Sequence, residues 1–275
     1  MDLPAPDLML SGDDAAVFAS DVHLGEHATG DADPSGFLAA LAHTLPNDCS
    51  HLFLLGDIFE FWAGDDLGTP GRAAFVDALA AWRRHAARPT ALFVMHGNRD
   101  LLLGGHFLAE IQARLLSDPC TIHAFGSRVL LSHGDAWCTD DQDYQMFRRE
   151  VRNPRWQQRF LELPPAERRA RIDRIRHHSE AAKRGKPDDI MDVHPKAIEE
   201  AFAHSSASVI IHGHTHRPQR HAHNRERVRW VLPDWYAPGQ RGGWLRVDRD
   251  AARAEGPYGR WVASPVEDMP RVGVF

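Results

Sequence analysis

Five short polar clusters punctuate this chain, and each follows directly on a short apolar run. They are Asp21-Val22-His23, Gly56-Asp57, Gly97-Asn98-Arg99-Asp100, His133-Gly134-Asp135 and Gly213-His214-Thr215-His216. The runs ahead of them cover residues 15–19, 51–55, 90–95, 128–131 and 208–211. Four to six residues rich in Val, Ile, Leu and Phe, closed by turn formers, predict buried strands. Helical patterns lie between several of them, at residues 34–44, 71–85 and 101–115. Strand alternating with helix predicts a layered α/β domain. Ligands of such sheets bind beyond the carboxyl ends of the strands, where all five clusters fall.

The clusters supply seven oxygen or imidazole donors: Asp21, His23, Asp57, Asn98, His133, His214 and His216. That number suits two metal ions sharing one carboxylate. Asp57 has two oxygens and can hold two ions ~4 Å apart. Asp-x-His on one tight turn lets a carboxylate and an imidazole face the same ion, and Asn98 can lend a neutral carbonyl oxygen. On a loop, His214 and His216 can reach different ions. No cluster contains Cys, so the donor set suits Mn, Fe, Zn or Co better than a structural zinc. A lone histidine in a chain with 18 of them is seldom a ligand. His43, His85, His106, His123, His221 and His223 are accordingly read as surface or core residues.

A chain of 275 residues accommodates one large α/β domain with a modest insertion. Its formal charge of −6 disfavours nucleic acid as a partner. Cys49, Cys120 and Cys138 form no paired motif and read as buried thiols in a reducing compartment. Residues 1–16 hold four Asp and no basic residue, so no secretory signal is expected. No run approaches the ~20 apolar residues that span a bilayer. A soluble or peripheral cytoplasmic protein is expected.

Residues 137–192 differ from the rest. They contain no strand-like run, and Trp137, Tyr144, Phe147, Val151, Trp156 and Phe160 recur at roughly helical spacing. Between Arg148 and Lys186 there are 13 Lys or Arg against 5 Asp or Glu, a net of +8 that leaves −14 for the remainder. A basic helical insertion on an acidic core is expected. Solvated helices with ordinary salt bridges account for it, and so does a cap that meets an anionic ligand or membrane surface. Strand-like sequence returns at residues 243–247, ahead of a tail from about residue 253 whose role the residues do not reveal.

The five clusters, in this order, resemble the calcineurin-like metallophosphoesterases. The resemblance implies a four-layer α/β/β/α sandwich with a di-metal site at one edge of two sheets. It implies Asp21, His23, Asp57 and His216 at one ion, and Asp57, Asn98, His133 and His214 at the other. Asp100 and Asp135 are then candidates to orient ligand imidazoles, with plain turn capping equally open. Many phosphatases of this superfamily carry His after the Asn ligand, where this chain has Arg99. Arginine cannot release a proton near neutral pH but grips phosphate bidentately. That favours a good leaving group such as a phosphate monoester, and so pyrophosphate cleavage. Beside the bridging Asp57, Phe59 and Trp62 suit core packing or substrate contact equally.

Cys138-Thr139-Asp140-Asp141, Ile190-Met191-Asp192-Val193 and the insertion as a whole resemble the branch of this superfamily that acts in lipid A biosynthesis of Gram-negative bacteria. The resemblance runs from about Ala15 to Val247. It implies Mn(II)-dependent hydrolysis of UDP-2,3-diacylglucosamine to UMP and 2,3-diacylglucosamine 1-phosphate, with water attacking the α-phosphorus. Arg99 and His214 would stabilise the charge that develops on the phosphoryl oxygens. Substrate contacts carry over at Asn98, Arg99, Asp141, Ser179, Lys186 and His214, and Lys183 stands where that branch often has Asn. The insertion becomes a cap over a nucleotide-linked glycolipid, docked on the anionic cytoplasmic face of the inner membrane, and no obligate protein partner is evident. A nucleotide-diphosphate or cyclic-nucleotide hydrolase on the same core is the alternative, and a non-catalytic scaffold is disfavoured because all seven donors are present.

Overall fold

The structure is a computed structural model that describes residues 8–25, 35–183, 188–224, 226–235 and 242–255. Its first six strands are β1 (Met9–Leu10), β2 (Ala15–Ala19), β3 (His51–Leu55), β4 (Ala91–Met95), β5 (Ala113–Leu116) and β6 (Cys120–Ala124). The next six are β7 (Ser127–Ser132), β8 (Val209–His212), β9 (Gln219–Ala222), β10 (Val228–Val231), β11 (Trp244–Asp248) and β12 (Ala252–Glu255). Four helices fall within the body: α1 (Ser35–His43), α2 (Arg72–His85), α3 (Gly105–Glu110) and, late in the chain, α7 (Pro195–Ser205). Between β7 and α7 lie α4 (Gln142–Val151), α5 (Pro154–Leu161) and α6 (Pro165–Lys183).

The strands make two six-stranded sheets. One has the order β12-β11-β2-β3-β4-β5 and is parallel from β2 to β5. The other has the order β1-β6-β7-β8-β10-β9, with β7, β8 and β10 parallel at its centre. Alternation along the strands builds the layers. Phe18, Phe53, Leu55, Phe93 and Met95 face the second sheet and pack with Val129, Leu131, Val209, Ile211 and Trp230. Their neighbours Val17, Leu52, Leu54 and Val94 point the other way, onto Phe37, Phe75 and Phe107 of α1, α2 and α3. Leu130 and Ile210, on the outer face of the second sheet, meet Ile198 and Phe202 of α7. The result is the expected α/β/β/α sandwich. Strands covered on both faces explain why the sequence shows unbroken apolar runs instead of alternation.

Two expectations are corrected. Residues 101–115 are not one helix: α3 spans only Gly105–Glu110, and β5 then pairs with β4 at the sheet edge. Gln112 at φ 51° turns the chain out of the helix. Leu102, Leu103, Phe107 and Leu108 mimic helical spacing because a turn and a short helix both face the same core. The segment from 253 onward is not all tail either. Residues 253–255 belong to β12, which pairs with β11, whereas residues 256–275 lie outside the described residues.

The helical insertion is fastened by arginines. Buried Arg168 of α6 donates from Nη1 to Ala63 O at 2.6 Å, from Nε to Leu163 O at 3.0 Å, and pairs with Asp66. Arg148 of α4 donates from Nε to Asp135 Oδ2 at 2.9 Å.

Phe53 sits mid-stack between Phe18 and Phe93, with ring centroids 4.6 and 4.9 Å away. Phe53→Ala opens a cavity between the sheets and is expected to lower stability by about 3–5 kcal/mol, read from the urea midpoint. A loss below about 1 kcal/mol would show that the sheets close over the gap.

Candidate metal centre

Each polar cluster lies where its strand ends. Asp21 and His23 follow β2, Asp57 follows β3, Asn98 and Arg99 follow β4, His133 follows β7, and His214 and His216 follow β8. Asp21, His23, Asp57, His214 and His216 all adopt φ between 52 and 67°. Bulky residues in that left-handed region are strained and persist only where their surroundings over-determine them, a pattern that concentrates at ligand sites. The glycines beside them permit close approach. A Cβ on Gly97 would collide with Asp57, and one on Gly213 with Asp21.

The turns bring all seven donors together. One atom each of Asp21, His23 and His216 lie within 4.8 Å of one another, and so do atoms of Asp57, His133 and His214. Asp57 Oδ2 stands between the groups, 3.9 Å from His23 Nε2 and 3.7 Å from His133 Nε2. Asn98 Oδ1 is 3.1 Å from His133 Nε2.

The donor chemistry fits divalent cations. His133 Nδ1 donates to the Leu55 carbonyl at 3.0 Å, which leaves Nε2, facing Asn98 Oδ1 at 3.1 Å, as the atom an ion would take once its proton is shed. In the other group Glu60 Oε2 lies 3.1 Å from His23 Nδ1, off the axis of an ideal hydrogen bond, and Asp234 Oδ2 lies 3.5 Å from His216 Nδ1. Carboxylates there favour the proton on each Nδ1, which turns both Nε2 atoms to one another across 3.3 Å as the atoms an ion would take. Asp21 Oδ1 is buried, accepts no hydrogen bond and is 3.4 Å from His216 Nε2. Acceptors that converge in this way are reconciled by a positive ion. The field says the same. Burial opposes charge on His133, yet the carboxylates of Asp57 and Asp21 prevail and push its pKa up to about 9. His214, half-buried beside His133, is held well below its ordinary value by desolvation and the neighbouring imidazole and is neutral, as a ligand must be.

Of the two roles open to Asp100, the geometry selects turn capping. It accepts from Ile58 N and Gly97 N, both at 2.8 Å, and so locks the loops after β3 and β4 together. Asp135 faces α4 instead of an imidazole, accepting from Tyr144 Oη at 2.8 Å and from Arg148. The carboxylates that do face ligand-type imidazoles, Glu60 and Asp234, were not singled out by sequence. Each had a signal: Glu60 is an acid embedded in the apolar run Ile58-Phe59-Glu60-Phe61, and Asp234 follows a strand as the other clusters do.

A cavity of about 720 Å³ opens from these donors. Its polar lining includes His23, Asp57, Asn98, Arg99, Asp141 and His214, with Arg174 and Arg176 of α6. Its apolar lining is Phe61, Trp62, Phe147, Val151, Trp156 and Ile172, most of them from α4, α5 and α6. Trp62 thus reaches the cavity while Phe59 is wholly core. Asp141 also caps α4, accepting from Tyr144 N at 3.1 Å. Ser179 and Lys183 fall in α6, but their side chains, and Lys186 altogether, lie outside the described residues.

Residues 16–218 match the calcineurin-like phosphoesterase family model, and the chain belongs to that family. It is similar to the UDP-2,3-diacylglucosamine hydrolase of Chromobacterium violaceum, 47% identical over 238 residues that cover 86% of this chain and 96% of that one. The proteins of the same name from Aromatoleum aromaticum and Bordetella parapertussis are 46% and 43% identical, covering 81% and 84% of this chain and 89% and 91% of theirs.

Mn(II) at about a hundredfold above its Kd is expected to stabilise the protein by about 2.7 kcal/mol per site, seen as a raised unfolding midpoint. Asp57→Ala, which removes the shared carboxylate, is expected to abolish most of that shift. A ligand must shed its proton, and His133 keeps one up to about pH 9. Ion affinity therefore falls as the pH drops below about 9, and calorimetry in two buffers at neutral pH is expected to register proton release. Uptake with no proton released would place His133 outside the site.

Proposed function

We propose that this chain hydrolyses the pyrophosphate of UDP-2,3-diacylglucosamine to UMP and 2,3-diacylglucosamine 1-phosphate. One observation carries the reading: a single cavity joins Arg99 and five of the seven donors, His23, Asp57, Asn98, His214 and His216, to an apolar lining made by Phe61, Trp62 and the helical insertion. That division suits a ligand with a doubly charged phosphate bridge at one end and acyl chains at the other. A soluble nucleotide leaves the apolar half unused. The name those relatives carry points to the same substrate.

In this reading Asp21, His23, Asp57 and His216 hold one divalent ion and Asp57, Asn98, His133 and His214 the other, with Mn(II) the ion of choice. Two such ions supply Lewis acidity to the phosphoryl group and activate the attacking water. Arg99 is anchored by Glu60 at 3.3 Å and turns its remaining donors to the phosphate oxygens. His214, stacked on Tyr144 with ring centroids 5.9 Å apart, is fixed beside the same oxygens. Asn98 and Asp141 contact the substrate from the cavity wall, and Ser179, Lys183 and Lys186 are assigned to it by resemblance alone. The departing group is a phosphate monoester with a pKa of about 6 by analogy with phosphorylated residues, so no residue has to protonate it. That removes the need for an acid at the position of Arg99.

The insertion also suits docking on an anionic membrane. Arg148, Arg152, Arg168 and Arg176 are occupied by carboxylates of the body. Arg149, Arg155, Arg159 and Arg169 remain exposed, with Met146 56% and Leu161 40% exposed among them. Among the described residues no helix is long and apolar enough to cross a membrane.

Hydrolysis in ¹⁸O-water is expected to label UMP, because attack falls on the α-phosphorus. Label in the sugar phosphate would reverse the assignment of nucleophile and leaving group. Binding to anionic vesicles is expected to weaken steeply as salt rises. Binding indifferent to salt would remove the electrostatic reading of the insertion.

A further inference from the structure

Glu60 occupies a junction that the reaction as described does not require. Its carboxylate is almost wholly buried and touches three elements. Oε2 lies 3.1 Å from Nδ1 of His23, on the turn after β2. Oε1 lies 3.3 Å from Nη1 of Arg99, on the turn after β4, and 3.2 Å from Nη2 of Arg176, on α6. The Arg176 guanidinium also sits over the ring of Phe61, 5.5 Å from its centroid. The backbone holds Glu60 as firmly as its side chain does, since its N–H donates to Leu24 O at 2.9 Å.

A second tie runs between the same two elements. Arg168, two helical turns before Arg176, donates to the carbonyl of Ala63 and pairs with Asp66. The loop that carries Asp57 and Glu60 therefore holds α6 at two levels, and only the upper one reaches the metal centre.

We propose that Glu60 is a positioning residue that couples the seating of α6 to the geometry of the ion site containing His23. One carboxylate oxygen sets the ring of His23 and the other sets Arg99 and Arg176, so the three cannot shift independently. An ion that draws His23 Nε2 towards Asp21 fixes the ring, the ring fixes Glu60, and Glu60 fixes Arg176 with the helix that bears it. Coupling of this kind is reciprocal: whatever the ion gains from a seated helix, the helix gains from the bound ion. The inference rests on the metal-site reading above but not on the choice of substrate.

Amide hydrogen exchange across residues 168–177, with and without Mn(II), tests it in wild type, Glu60→Gln and Arg176→Met, alongside calorimetric titration of the ion. In wild type the ion is expected to slow exchange in α6 by about tenfold or more. Glu60→Gln is expected to abolish that protection and to weaken one of two ions by about 10–100-fold, the usual effect of removing a partner behind a ligand histidine. Arg176→Met touches no ligand and is expected to abolish the protection and, because the coupling is reciprocal, to weaken the ion at the His23 site by no more than the factor of slowing it removes. Protection in both variants equal to that in wild type would overturn the proposal. If wild type binds two ions but its α6 exchange does not respond, the coupling is likewise refuted while the metal sites stand. If wild type binds no ion, the metal-site reading itself fails. Arg168→Met serves as the control: it loosens α6 at its lower tie, and the ion-dependent slowing should survive.

Discussion

A carboxylate taken out of water costs several kcal/mol unless something positive or hydrogen-bonding meets it, and one edge of this molecule buries six: Asp21, Asp57, Glu60, Asp100, Asp135 and Asp234. Much of the edge architecture answers that cost. Asp100 is met by backbone amides from two loops. Asp135 is met by Arg148 of α4, by Arg152 just beyond its end and by the hydroxyl of Tyr144. Glu60 is met by Arg99 and Arg176. One oxygen of Asp21 is met by Ser20 Oγ and the His214 amide, and one of Asp57 by the Arg99 amide; their other oxygens face imidazole nitrogens, an incomplete answer until cations occupy the space between. The carboxylates met by protein cations are also the ones that hold the insertion in place.

This accounts for the composition of the helical segment. Its excess of positive charge invites a single explanation, whether solvent, ligand or membrane. The structure divides it. Arg148, Arg152, Arg168 and Arg176 turn inward, and of their carboxylate partners Asp118, Asp135 and Glu60 are buried in the acidic body; the exposed arginines are a separate population. The charge asymmetry between insertion and body is thus partly the two halves of one set of contacts. A surface argument rests only on what is left.

The central strands β2, β3, β4, β7 and β8 and the ligand turns were legible in the sequence because those strands are covered on both faces and each turn must carry donors, whereas edge strands such as β9, with Gln219, Arg220 and His221, show no apolar run. Short-range pattern encodes both. The helix expected over residues 101–115 failed where tertiary context overrode pattern: an open edge on β4 recruits residues 113–116 as β5, and the leucines before it fill the core from a turn. Glu60 and Asp234 escaped notice for another reason. Their partners are distant in sequence, with His23 37 residues before Glu60, and an isolated acid carries no mark of which imidazole it will face. Asp100 and Asp135 were visible for the opposite reason, being adjacent to ligand motifs, and proximity in sequence suggested a role that geometry gave to others.

Arg99 shows how one residue type can bias a shared core. A guanidinium cannot serve as a proton donor in the way an imidazole can, so a site that places it beside the phosphate is poorly equipped to expel an alkoxide. A leaving phosphate monoester carries its own charge stabilisation and asks only for its neighbour to be gripped. Gripping is a matter of geometry, and a free arginine side chain disposes of about 2 kcal/mol of rotamer entropy that must be lost before it helps. Glu60 removes part of that loss in advance by holding one end of the guanidinium. Arg176 shares the same carboxylate oxygen, so the anchor that prepares Arg99 is completed only by the helix above it. Under the proposed function, the preference for an anhydride and the presence of the insertion would be one adaptation: the residue that would favour the anhydride is positioned through the element that would accommodate the lipid.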